Sequence, residues 1–501
     1  VCTVLLLAAM FSLWAGLALG HLDYGLIIDA GSTGSRIHVY EWDARILHSS
    51  RASAEVTIPK QIGALKSSPG LSSFAGGRED QAGDSLVALL EYARSTIYSR
   101  SPGVHLDRVP VWLGATAGLR VIPSHSAGKI IQSSLDALRS SGFAVPASGA
   151  ARVLSGEEEG AFGWIAVNAG SDGVPSSPNA SYGTLDLGGA SSQITFIPKD
   201  PSILANLFPM HFGNSLQKGR TIHTYSHSFL HFGFVSSWQR AGDYVSNEVQ
   251  TFGSQLVVQH PCLASGQNWS VSAPTFGAGF SAQQANRTDG SLDFAGSGNF
   301  EACSLVAQAI IPKGTPCFFG GQCSFMGQYQ PNLDGLNFAL IGDFQGVFHA
   351  LDVPDGGTLA DVAARASEVC GEPEHEQLRL ATQAGYGRAT DPPLCWMATW
   401  AVTLLSHGYQ FPMNTTSLSW HKHDWGGAAD WALGRMIYEI NSFPVWELEG
   451  GEPVLLAEAA SQLGSVAMLL PFLLGLLARE VLGRLRSPCE SEEARDFYVV
   501  L

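Results

Sequence analysis

Two stretches of this chain repeat one pattern: Ile27 to Tyr40, IIDAGSTGSRIHVY, and Thr184 to Phe196, TLDLGGASSQITF. Each runs from an apolar segment through an aspartate and a Gly/Ser/Thr-rich turn into a second segment rich in β-branched residues. That order predicts a strand, a tight turn and a returning strand. The glycines let backbone N–H groups close on an anion, and the hydroxyls add donors. An aspartate at the strand end is an oxygen ligand suited to a hard cation such as Mg²⁺ or Ca²⁺. One such turn is usually only a hairpin. Two, with the same residue types in the same order, predict two lobes that jointly hold a polyphosphate and its metal.

The rest of the chain bounds where such a pair would work. With 501 residues there is room for two or three domains with real cores. A formal net charge of −16 argues against nucleic acid as a partner, but local donors and a metal can still hold phosphates. Val4 to Leu19 is almost wholly apolar, so residues 1–21 read as a signal peptide or an N-terminal membrane anchor. A second apolar run, Leu463 to Ala478, extends through Val481 and Leu482 and is flanked by Arg479, Arg484 and Arg486. It predicts a transmembrane helix over 463–482, after a linker at 446–462, with a cytosolic tail at 483–501. An amphipathic or core helix is the alternative for that run.

The chain between the two runs is then expected outside the cytosol, either extracellular or in the lumen of the secretory pathway (Golgi or ER). Glycosylation sequons begin at Asn179, Asn268, Asn286 and Asn414. Of eight cysteines, six fall between Cys262 and Cys395, an even number suited to disulfides. Cys317 and Cys323 can close a small loop, and Cys370 with Cys395 and Cys262 with Cys303 are the natural remaining pairs.

Residues 22–160 read as alternating strands and helices, with a strand at Val111 to Leu113 and a helix at Ala127 to Arg139. The cysteine-bearing region that follows carries Gly- and Asn-rich connections, Ser265 to Gly298, which read as loops. Helices are expected at Leu359–Val369, Met397–Ser406 and Ala428–Ile440.

Three further segments could carry chemistry. LSGEEEGAFGWIAVN, Leu154 to Asn168, puts three glutamates at a helix start, where they favour the helix dipole. A glutamate fixed there can also take a proton from water and aim that water at phosphorus. LGATAGLR, Leu113 to Arg120, sets Thr116 at a strand end between glycines. GGAADWALGRMIYEI, Gly426 to Ile440, places Trp431 near a helix start, either closing the site or packing in the core.

These five segments, in this order, resemble the five apyrase conserved regions of the ecto-nucleoside triphosphate diphosphohydrolase (apyrase) family. The resemblance runs from about Gly25 to Ile440 and is specific, since five motifs recur in sequence. It implies an α/β fold of two actin-like (RNase H-like) lobes with the active site in the cleft between them. The N-terminal lobe would span 22–160, completed by 427–445, and the C-terminal lobe 161–426. It implies removal of terminal phosphates from nucleoside tri- and diphosphates with Ca²⁺ or Mg²⁺.

Carried over by position, the resemblance implies that Asp29 and Asp186 hold the metal, largely through its water shell. Phosphates would be bound by Ser32, Thr33, Gly34 and Ser35 in the first loop, by Gly188, Gly189, Ala190, Ser191 and Ser192 in the second, and by Thr116. Glu159 matches the catalytic base, Ser191 the serine that helps hold the attacking water, and Gln193 lies nearby. Phe344 and Trp400 occupy the positions expected to stack on the nucleobase, and Trp431 matches the fifth region. Gly34 stands where vertebrate cell-surface members carry histidine, and His231 where they carry cysteine. These departures leave the preference for tri- or diphosphates open. Two other readings use the same loops: an exopolyphosphatase-like hydrolase, and a non-enzymatic, nucleotide-dependent binding protein on an actin-like scaffold.

Overall fold

The structure, a computed structural model, describes residues 22–43, 56–170, 173–212, 220–249, 258–272, 291–354, 356–388, 391–420 and 429–441. The first repeated segment forms β1 (Leu22–Ala30) and β2 (Ser35–Asp43), antiparallel, with Asp29 opposite Arg36. β3 (Lys60–Ser67) extends the meander, and β4 (Val111–Ala115) and β5 (Ala151–Val153) add parallel strands on the other side of β1. The sheet order is β3-β2-β1-β4-β5. Helices α1 (Val87–Arg100) and α2 (Ser124–Ser140) cover one face. Alternation along β1 sends Leu26 and Ile28 into that layer and Ile27 into a different core, so both faces of the strand are buried.

After α3 (Gly156–Asn168), the second repeated segment forms β6 (Gly183–Leu187) and β7 (Ser191–Phe196). β8 (Leu207–Phe212) and β9 (Arg220–Leu230) follow, then α4 (Phe234–Val249). A small sheet of β10 (Val258–His260), β11 (Asn268–Ser272) and β12 (Ser291–Gly296) leads into α5 (Phe300–Ala309). The chain continues through β13 (Phe338–Gly342), α6 (Asp343–Ala350), α7 (Leu359–Gly371), α8 (Glu374–Gln383), α9 (Leu394–Thr403), β14 (Leu418–Ser419) and α10 (Trp431–Asn441). The large sheet has the order β14-β13-β6-β7-β9-β8. It repeats the first sheet: β6, β7 and β9 form the antiparallel meander, β13 and β14 are the parallel pair, and β8 is an added edge strand.

A third core joins the two sheets. It takes Ile27, Tyr40 and Trp112 from the first sheet, Ile222 from the second, Trp164 from α3, and Trp431 and Met436 from α10. The expected division after residue 160 therefore falls inside α3, a helix buried on nearly every side. Glycines make that burial possible. A Cβ at Gly160 would sit 2.5 Å from Thr195 Oγ1, and one at Gly163 would sit 3.0 Å from Ile341 Cδ1. From the opposite side, a Cβ on Gly434 of α10 would overlap the Phe162 carbonyl.

The expected disulfides Cys262–Cys303, Cys317–Cys323 and Cys370–Cys395 all form. The loop reading of Ser265 to Gly298 is corrected. β11 and β12 pair there because Trp269 and Phe294 both turn inward and stack, ring centres 5.2 Å apart. Residues 273–290, with the sequon at Asn286, lie outside the described residues, as do both terminal apolar runs, the linker and the tail. Among the described residues, no helix is long and apolar enough to cross a membrane.

Candidate active site

The turn of the first hairpin is approached closely by two other loops. A Cβ on Gly118, just after Thr116, would lie 2.8 Å from Ser32 Cα, and a Cβ on Gly189 in the second hairpin would collide with Ser32 Oγ. At Gly118 the neighbour is backbone, so only glycine permits that approach. Thr116 is buried, and its N–H donates to the Ala30 carbonyl (3.2 Å), which locks the third loop to the end of β1. The two hairpins thus face each other, with Ser32, Thr33, Gly34 and Ser35 on one side and Gly188, Gly189 and Ala190 on the other.

Both strand-end aspartates lie at this junction. Asp29 Oδ1 is buried with no hydrogen-bond partner among the described residues. Burial raises the Asp29 carboxyl to about 6, the neighbouring His38 opposes the rise, and Asp430 adds to it. Burial also raises Asp186 well above the carboxylate range, reinforced by Glu159, Asp343, Asp430 and Asp29. The site therefore gathers carboxylates, Glu159 buried and Asp29, Asp186 and Asp343 half-buried, whose charged forms are disfavoured there.

Glu159 projects into the same space from the first turns of α3, whose start is capped by Ser155 Oγ accepting from the Glu158 N–H (3.1 Å). Glu159 is only 8% exposed. Gln193 Nε2 donates to Glu159 Oε2 (3.1 Å) and to Ser191 Oγ (2.8 Å), so Glu159, Gln193 and Ser191 form one bonded group. Arg120 Nη2 forms an ion pair with Glu159 Oε2. Burial pushes the Glu159 carboxyl up to about 7, against the pull of Arg120. A carboxyl that titrates near neutrality is matched to general-base work.

Four expected ligand residues, Ser192, Phe344, Trp400 and Trp431, lie in cores. Ser192 points into the C-terminal core, where its hydroxyl donates to the Asp186 carbonyl (2.8 Å) and meets Tyr409 OH (3.0 Å). Strand alternation forces this, since Ser191 and Gln193 take the cleft face. Phe344 and Trp400 have no exposed surface. Trp400 Nε1 donates to the Phe232 carbonyl (3.2 Å), and its ring stacks on Trp396. Helix α9 is apolar all round and wholly buried, so its tryptophans are core. Trp431 packs in the core between the sheets, its ring against the backbone of Gly114, and so backs the site from behind.

Several site residues have no assigned role in the sequence reading. Arg120 ends the LGATAGLR segment; an arginine in a motif near a glutamate cluster was the available signal. Asp343, raised by burial to about 6, follows Gly342 directly, and Tyr386 OH donates to its Oδ1 (3.0 Å). Arg388 lies within electrostatic range of Lys66, as does Arg36 of β2. His38 faces Asp430 across 3.8 Å.

Residues 20–456 match the GDA1/CD39 (nucleoside phosphatase) family. The chain belongs to that family. Two Gly/Ser hairpins facing a buried carboxylate are compatible with nucleoside phosphatase chemistry. Among similar proteins, the chain is 30% identical over 479 residues to ectonucleoside triphosphate diphosphohydrolase 8 of Gallus gallus, covering 87% of each. It is 28% identical over 428 residues to probable apyrase 3 of Arabidopsis thaliana, covering 84% of this chain and 83% of the other. It is 29% identical over 418 residues to the Golgi apyrase of Schizosaccharomyces pombe, covering 79% of this chain and 68% of the other. A crystal structure of nucleoside triphosphate hydrolases from Neospora caninum shares the fold, with TM-score 0.58 and 16% identity over 88% of this chain and 97% of that one. The protein is thus an α/β enzyme of the nucleoside phosphatase family.

Proposed function

We propose that the protein removes terminal phosphates from nucleoside tri- and diphosphates in a cleft between two actin-like (RNase H-like) lobes, with Glu159 as the base and Ca²⁺ or Mg²⁺ as cofactor. The observation that carries this reading is the bonded group of Glu159, Gln193 and Ser191, buried where the two Gly/Ser hairpins meet. The hairpins fix the terminal phosphoryl group. Ser191 and Gln193 position water, and Glu159 accepts its proton as the water attacks phosphorus. Arg120 keeps the carboxylate charged and oriented. Base assistance contributes on the order of 10²- to 10⁴-fold, and positioning and charge stabilisation supply the remainder.

The residues present fit a divalent cation that keeps part of its water shell. Among the described residues Asp29 Oδ1 lacks a partner, and burial disfavours the charged forms of both Asp29 and Asp186 until a cation offsets them. Among the described residues, no three His, Cys, Asp or Glu side chains are arranged to hold a metal directly. That suits two carboxylates acting largely through water. When bound, the ion supplies charge neutralisation of the phosphate oxygens.

Phe344 and Trp400, with no exposed surface, are not available to stack on a nucleobase. The exposed positions of Asn179, Asn268 and Asn414, together with three disulfides, support an extracellular or secretory-lumen setting, with anchoring through the terminal apolar runs.

Glu159→Gln is expected to lose nearly all turnover of ATP, ADP and UDP with Ca²⁺ or Mg²⁺ while still binding nucleotide. Near-wild-type kcat in that variant would remove the base from the mechanism. Polyphosphate in the same panel tests the exopolyphosphatase-like alternative, which predicts faster phosphate release from it than from nucleotides.

A further inference from the structure

Ser226 and Ser228 lie two residues apart on β9 and face the start of α3, yet they bond to different kinds of partner. Ser226 Oγ is fully buried, donates to the Glu157 carbonyl (2.9 Å) and meets Thr195 Oγ1 (2.8 Å). It ties a strand to a helix. Ser228 stands directly opposite Gln193 in the β7–β9 register. Its hydroxyl accepts from Gln193 Nε2 (3.2 Å) and from Arg120 Nη1 (3.4 Å). Both of those side chains also donate to Glu159.

We infer that Ser228 is a positioning residue for the base: its hydroxyl holds Arg120 and Gln193 together so that both donate to Glu159. A serine oxygen has two acceptor lone pairs, enough for these two donors, while Gln193 Nε2 shares its two hydrogens among Ser228, Ser191 and Glu159. The slot is shaped for this hydroxyl. A Cβ on Gly156 would overlap the Ser228 side chain and come within 2.5 Å of Arg120 Nη1, so the glycine at the helix start leaves the room that the brace occupies. Arg120 depends on that brace. Its Nε is buried without a partner among the described residues, leaving the Nη groups to fix the guanidinium. Arg120 comes from the N-terminal sheet's side and Gln193 from the other sheet, so Ser228 also joins the two halves at the base.

This inference rests on Glu159 being the base. The test is steady-state hydrolysis of ATP and ADP by the full-length protein. Ser228→Ala is expected to lower kcat about tenfold with KM held within about twofold, because substrate contacts are untouched. Ser228→Thr, which keeps the oxygen, is expected to restore most of the loss. In a Gln193→Ala background, the effect of adding Ser228→Ala should shrink below about threefold, as it must for residues acting through one another. An undiminished tenfold effect in that background would overturn the inference, as would wild-type kcat in the folded alanine variant. If Ser228→Ala does not fold, Ser228→Cys fills the slot with a weak acceptor and is read by the same criteria. An active Glu159→Gln would instead reject the base itself, an outcome distinct from unchanged kcat at Ser228.

Discussion

The two hairpins share an order of residues but not a set of bonds. In the first, Asp29 Oδ1 and Ser35 Oγ are buried without partners among the described residues, and the turn is held by the close approach of Gly70 and Gly118. In the second, the carbonyls of Gly188 and Gly189 accept from the N–H groups of Phe234, Val235 and Ser236 at the start of α4, at 2.9–3.1 Å. Ser192 is pinned by Tyr409, while Ser191 and Gln193 are bonded through to Glu159. Among the described residues, one hairpin leaves Asp29 Oδ1 and Ser35 Oγ uncommitted, and the other is wired to Glu159. The repeat is therefore one of scaffold, on which the chemistry is distributed unequally.

The largest expected effect tests the rigidity of the second half. Trp400→Ala should lower stability by about 3–5 kcal/mol, the range for truncating a fully buried aromatic residue. Chemical denaturation reads this, while KM in the folded fraction should stay near wild type. A large rise in KM without loss of stability would return Trp400 to the nucleotide.

The next tests the Arg120–Glu159 ion pair, through which the first half reaches that carboxylate. Arg120→Ala should lower kcat on the order of 10²-fold. A loss under about threefold in steady-state kinetics would reduce the first half to scaffold.

A third prediction concerns protons. Asp29 and Glu159 sit at about 6 and about 7 when folded, above their ordinary 3.8 and 4.5. The folded state therefore binds protons more tightly, so metal-free protein should lose stability as pH rises from about 4 through about 7. Thermal unfolding should show Ca²⁺ or Mg²⁺ raising Tm more at about pH 8 than at about pH 5. Equal stabilisation at both would detach the metal from these carboxylates. In metal-free protein Glu159 should likewise titrate near neutrality by NMR, with the bound ion drawing it lower.

The smallest effect separates neighbours on one strand. Ser192→Ala should cost about 1 kcal/mol of stability and leave turnover alone. Ser191→Ala should reduce kcat instead.

Much of this was legible in the sequence because it is local. The Asp-turn-strand repeat, the periodicity of α2 and α7, and the glutamates ahead of Gly160 are each decided within a few residues. What was not legible depends on which way a residue faces after distant segments pair. Phe344 and Trp400 stand at plausible positions, but α9 is apolar on every side and turns both its tryptophans into the core. Ser228 lies 35 residues from Gln193, and only the register of two antiparallel strands brings them together. β11 and β12 pair around inward aromatics spaced through a Gly- and Asn-rich stretch, where composition argued for loops. Arg120 sat inside a recognised motif, but its bond to Glu159 crosses between the two halves.

The seating of α10 also sets a clock. This helix lies against β1 through Met436 and Gly25 and against α3 through Gly434 and Phe162, and Asn441 exchanges hydrogen bonds with Thr57 across 384 residues of sequence. A ribosome delivers the helix that carries Glu159 long before it delivers the helix that presses it home. A nascent chain that already holds both Gly/Ser hairpins and Glu159 would thus lack the helix that packs behind them until α10 emerges.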